Sequence, residues 1–106
     1  FGPVVMFGIG GIFAEVYKDV AFRLAPFGAD VADSMIREIK GFPLLDGARG
    51  RPKGDLAALR DALVRMSVFA AETRDRIASV DINPFIVRPK GAVAVDALIV
   101  PSAPST

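Results

Sequence analysis

Cysteine and histidine are both absent from the 106 residues. Without cysteine the chain has no disulfide, no thiolate nucleophile and no Cys-type zinc site, a composition compatible with a reducing cytoplasm. Without histidine it lacks the commonest general base, the usual nitrogen ligand for a metal and any phosphohistidine carrier of its own. A metal held here is therefore held by oxygen. An excess charge of one sign is lacking too: thirteen Lys and Arg stand against twelve Asp and Glu, a net charge of +1. No basic run is long enough to track a phosphate backbone, which argues against nucleic acid as a partner. No apolar stretch reaches the roughly 18 to 20 residues of a membrane span, and no charged region precedes an apolar signal core. A soluble, cytoplasmic protein is expected.

Apolar residues are plentiful, at 52% of the chain with a mean hydropathy of +0.42, while charged residues stay ordinary at 24%. A domain of this size buries only roughly two-thirds of its unfolded surface. Some apolar surface is thus expected to face another domain or a partner, a second copy of the chain included. Phe1 stands first in place of Met, and Phe1 to Phe7 reads at once as strand. The chain is read as a fragment of a larger fold.

Val4 to Phe7 is a continuous apolar run broken by Gly8, Gly10 and Gly11, and Ile12 to Leu24 is again rich in β-formers, with Lys18-Asp19 as a break. Gly28 or Asp30 opens a helix with Val31, Met35, Ile36 and Ile39 on one face, ended by Gly41 and Pro43. Gly41 to Gly54 holds four glycines and two prolines and reads as a loop with no regular element. Asp55 is an N-cap for a second helix whose stripe is Leu56, Leu59, Leu63, Met66 and Ala70, with Arg60, Asp61, Arg65 and Glu72 toward solvent. Ile77 to Val87 and Ala92 to Val100 are β-rich runs around the hairpin signal Arg88-Pro89-Lys90-Gly91. Residues 101–106 form a short proline-containing tail, expected to fray. The order ββ-α-α-ββ defines an α+β fold with two helices on one face of an antiparallel sheet.

The hairpin carries the sharpest chemical inference. A turn at Pro89-Lys90, or a loop from Arg88 to Gly91, sets Val87 opposite Ala92 and, counting back, Asn83 opposite Asp96. Asp81, two positions before Asn83, points to the same face. Asn83 and Asp96 offer hard oxygen donors suited to Mg²⁺, which completes its shell with water and nucleotide phosphates. Spacing alone leaves a second reading open, a surface row of polar residues hydrogen-bonded across the strands. A three-residue turn would shift the register by one and send the pair to opposite faces.

The glycine run Gly8-Ile9-Gly10-Gly11 offers Gly10 and Gly11 as places where backbone could approach a nucleotide phosphate. It lacks both the dinucleotide fingerprint and the Gly-Lys-Ser/Thr of a P-loop, so a plain turn competes with that reading. Glu15, on an otherwise apolar stretch, is a candidate to face a nucleotide or to be a solvated edge carboxylate. Arg49 and Arg51 are phosphate candidates or simply solvated loop residues. Met35 and Met66 read as core.

Four stretches carry a family resemblance. Asp81-Ile82-Asn83-Pro84-Phe85, followed by Val95-Asp96-Ala97, resembles the Glu/Asp-Ile-Asn-Pro-Leu segment and later Asp of succinyl-CoA synthetase β subunits and their relatives. Phe1 to Glu15 is similar to the glycine-rich strand pair of the ADP-forming acetyl-CoA synthetase branch, as are Lys18-Asp19-Val20-Ala21-Phe22-Arg23 and Leu44-Leu45-Asp46-Gly47-Ala48-Arg49-Gly50. Ser79-Val80 departs from the acidic residue and Leu that relatives often carry before this Asp.

The resemblance spans residues 1 to about 100 and implies the carboxyl-terminal half of an ATP-grasp fold in an NDP-forming acyl-CoA synthetase. It implies Mg²⁺ and ATP or ADP as cofactors, Asn83 and Asp96 as Mg²⁺ ligands, and Asp81 as the acidic residue that hydrogen-bonds an incoming phosphohistidine. The implied partners are the amino-terminal ATP-grasp subdomain and a CoA-binding domain or subunit bearing that histidine, without which the fragment is inactive. The alternative is a non-catalytic interaction or regulatory ATP-grasp-like module, as in a protein acetyltransferase.

Overall fold

A computed structural model describes residues 2–8, 19–47, 53–82, 85–94 and 97–102. Strands β1 (Val4–Gly8) and β2 (Val20–Leu24) pair antiparallel, with Val5 opposite Arg23 and Phe7 opposite Ala21. Period-two alternation divides them into an inner and an outer face. On the inner face Val5 and Ala21 are buried, whereas Val4, Met6, Phe22 and Leu24 turn outward.

Helix α1 (Ala29–Glu38) packs against β2. Its buried line is Ala32, Met35 and Ile36, continued by Ile39 just beyond the helix. These positions follow the i, i+3, i+4, i+7 spacing of one helical face. Val31, expected on that face, lies one residue off the line and is 37% exposed.

The stretch expected as featureless loop contains one helical turn, α2 (Phe42–Leu45). Pro43, near its start, has no N–H to leave unpaired there. The Asp46 N–H closes the turn on the Phe42 carbonyl, while Phe42 and Leu45 pack on the core. Packing of these two half-buried side chains on the core thus overrides the local abundance of glycine and proline.

Helix α3 (Leu56–Thr73) starts at Asp55, whose Oδ1 accepts the Ala58 N–H at 3.0 Å. Its buried line is Leu59, Leu63 and Ser67, so Ser67 takes the place expected of Met66, which is only half-buried. Ser67 accepts the Phe27 N–H at 3.1 Å and donates to the Val64 carbonyl at 2.7 Å. A buried hydroxyl is tolerated because both of its roles are satisfied. The helix packs on β1, so α1 and α3 together cover the inner face of the first strand pair.

The remaining strands form two antiparallel two-stranded ladders, together the ribbon, with residues 83–84 and 95–96 between them outside the described residues. Strands β3 (Ile77–Ile82) and β6 (Ala97–Pro101) pair antiparallel, as do β4 (Phe85–Val87) and β5 (Ala92–Ala94). The antiparallel α+β architecture is the one expected. The ribbon runs further than expected, because Pro101 pairs with Ile77 and the Ser102 N–H donates to the Arg76 carbonyl at 2.9 Å. The first two residues of the supposed tail are therefore tied down, and residues 103–106 lie outside the described residues. No helix among the described residues is long and apolar enough to cross a membrane.

Candidate functional site

At the ribbon's tip Val87 stands opposite Ala92, the register expected from the turn, and the Arg88 N–H bonds the Gly91 carbonyl at 3.0 Å. Gly91 has φ +81°, a conformation costly for any residue with a Cβ. The β4–β5 ladder carries this register down to Phe85 opposite Ala94. Below it, Ile82 stands opposite Ala97 and Asp81 opposite Leu98. Two residues separate Ile82 from Phe85 on one strand, and two separate Ala94 from Ala97 on the other. The two ladders therefore share one offset. Asn83 and Asp96 fall in these intervals and lie outside the described residues, so of the three expected site residues on the ribbon only Asp81 has its place in a strand described.

The ribbon is held at both ends. At the tip, Asp55 Oδ2 accepts the Gly91 N–H at 2.7 Å, and the Asp55 N–H donates to the Arg88 carbonyl at 2.7 Å. The Gly91 amide first, then that of Ala58, hold the Asp55 carboxyl below its ordinary value against the opposing effect of burial, with a lesser contribution from the Ala57 amide. Val87 packs on the core close to Gly54, where a Cβ would come within 3.0 Å of its Cγ1. At the base, the Arg76 N–H bonds the Thr73 carbonyl at the end of α3, and the Arg76 carbonyl takes the Ser102 N–H. Both ends of one helix thus anchor the two ends of the ribbon.

The glycine-rich side is pinned in a similar way. Gly8 pairs with Val20, and a Cβ on Gly8 would meet Val20 Cγ1 at 2.8 Å and the Asp19 carbonyl at 2.9 Å. The Asp19 carboxylate accepts the Lys40 and Gly41 N–H groups at 2.7 and 2.9 Å. Gly10, Gly11 and Glu15 lie between these fixed points and outside the described residues, as do Arg49 and Arg51. Sequence reasoning took Asp19 for a strand break and Asp55 for a helix cap alone. Their second partners lie 21 and 36 residues away, beyond the reach of any local pattern. Among the described residues, no three acidic side chains gather into a metal cluster.

Residues 1–100 match the family model for the ATP-grasp domain, and the chain belongs to that family. It is 48% identical over 100 residues to the β subunit of acetate–CoA ligase (ADP-forming) I of Pyrococcus furiosus, covering 94% of this chain and 43% of that subunit. It is also 48% identical over 100 residues to acetate–CoA ligase (ADP-forming) II of Archaeoglobus fulgidus, of which it spans 14%. Among solved structures it resembles dinucleotide-forming acetyl-coenzyme A synthetase 1 of Ca. Korarchaeum cryptofilum, in complex with coenzyme A and Mg-AMPPCP. There the TM-score is 0.91 at 47% identity, over 96% of this chain and 47% of the other. The chain thus spans less than half the length of these relatives, which are subunits or single chains of larger ligases.

Proposed function

We propose that this domain is the metal- and phosphoryl-handling half of the ATP-grasp unit, residues 1–100, in an ADP-forming acid–CoA ligase. The overall reaction converts an acyl-CoA, phosphate and ADP to the free acid, CoA and ATP, or the reverse. The observation that carries the reading is the offset shared by the two ladders on either side of Asn83 and Asp96. An uninterrupted ladder with that offset sets the two residues opposite each other, with Asp81 on the same face.

The donor set fits a magnesium nucleotide: one amide carbonyl and one carboxylate, both hard oxygens, leave the other octahedral positions to water and phosphate. Bound there, the ion neutralises charge on the nucleotide phosphates during phosphoryl transfer. Asp81 accepts an N–H from a histidine that another domain or subunit brings to the site and so orients that imidazole. Gly10 and Gly11 give backbone access to the phosphates, and Glu15 faces the nucleotide. The other ATP-grasp half and the CoA-binding part belong to the same ligase, in the cytoplasm, so the domain alone does not turn over.

One observation favours a second reading, a non-catalytic interaction or regulatory module. The outer face of β1–β2 presents Val4, Met6, Phe22 and Leu24, each more than half exposed. Calorimetric titration of Mg-ADP into the ligase containing this domain, wild type against Asp96→Ala, separates the two. Loss of binding in the variant supports the metal site, whereas unchanged binding leaves the interaction module.

A further inference from the structure

We infer that Asp55 is a positioning residue for the metal-nucleotide site, holding the ribbon that carries Asn83 and Asp96 at a fixed angle to helix α3. The inference rests on the reading of those two residues as ligands. Asp55 acts at both of its carboxylate oxygens and at its backbone. Oδ1 caps α3 through the Ala58 N–H, Oδ2 takes the Gly91 N–H in the hairpin turn, and its own N–H reaches the Arg88 carbonyl. One side chain thereby joins the start of an 18-residue helix to the tip of the ribbon.

The geometry makes this junction matter at a distance. Phe85, the described residue nearest Asn83 on this side, lies three residues from Arg88 along β4, or roughly 10 Å of extended strand. A tilt of about 6° at the tip moves such a point by about 1 Å, and a displacement of that size can cost about a hundredfold where groups must meet in fixed geometry. The packing of Val87 near Gly54 limits translation of the tip. The two hydrogen bonds between Asp55 and the turn, to Gly91 and Arg88, fix its orientation.

The test separates the cap from the clamp. In Asp55→Ser the hydroxyl still caps the helix but does not also reach Gly91. Asp55→Asn, an equally good cap, accepts from only one of the two amides. ADP affinity of the ligase is measured with Mg²⁺ and with EDTA, and the ratio gives the tightening due to the metal. Both variants are expected to reduce this ratio about tenfold or more, leaving metal-free ADP affinity and the far-UV spectrum unchanged. An undiminished ratio in a folded variant overturns the inference, as does an equal loss of both affinities. Asp96→Ala is run alongside. If it leaves the metal-dependent tightening intact, the ligand reading itself fails, and this result is distinct from failure of the Asp55 clamp alone.

Discussion

The two strand systems of this domain are fixed by different forces. The β1–β2 pair lies on α1 and α3 through buried apolar residues, Val5 and Ala21 against Met35, Ile36, Leu59 and Leu63. The β3–β6 ribbon gives the core only Val87 among its described side chains and is tied by hydrogen bonds at Asp55 and Arg76. Apolar burial is non-directional and sums over area, so it sets stability without setting angles closely. Hydrogen bonds add little net energy each but fix orientation. The residues proposed to bind metal fall in sequence between the strands held by direction, and the bulk of the stability belongs to the other part.

This contrast should break most visibly at Met35, which is fully buried in the core. Met35→Ala is expected to cost about 2–5 kcal/mol, seen as a large drop in thermal midpoint for the whole domain. Were the ribbon the main source of stability, the drop would be slight.

A smaller effect sharpens the contrast at Asp55. Because its carboxyl is held below the ordinary value of 3.8, the ionised form is the one bound by the folded state. Its contribution is complete above 3.8 and is lost as the pH falls from there through the lowered value. The gap in melting temperature between wild type and Asp55→Asn should therefore be level near neutral pH and shrink in acid. A gap that widens in acid would refute the assigned hydrogen bonds.

The smallest effect is expected at the Arg23–Glu38 pair, 2.9 Å apart, whose side chains are 25% and 51% exposed. Glu38→Gln should cost at most about 1 kcal/mol, and added salt should erase the difference in a melting curve. A salt-independent loss would mean that this pair, and not burial, secures β2 on α1.

Much of the fold was legible in the sequence because its signals are local. The Arg88 to Gly91 turn gave the register of Val87 opposite Ala92, and Asp55 before an apolar stripe gave the start of α3. What escaped depended on partners distant along the chain. The turn at Phe42–Leu45 forms because two side chains reach the core, and Ser67 is buried because Phe27 meets it. The double role of Asp55 requires Gly91, which no periodicity connects to it. For the candidate site, the sequence supplied residue types and an expected register. The ladders on either side agree with that register, while Asn83, Asp96, Gly10, Gly11 and Glu15 themselves lie outside the described residues.

The pairing of Asn83 with Asp96 is the central claim, and the absence of native cysteine permits a clean test. Asn83→Cys combined with Asp96→Cys places two thiols on residues expected to be directly opposite, with Cα atoms about 4.5–5.5 Å apart, within the range a disulfide spans. Mild oxidation of this double variant should give a nearly complete intramolecular disulfide. The control pair Asn83→Cys with Val95→Cys, which the proposed register sends to opposite faces, should stay reduced. A disulfide in the control and none in the opposed pair would show the ribbon to be shifted by one residue and contradict the proposed metal site.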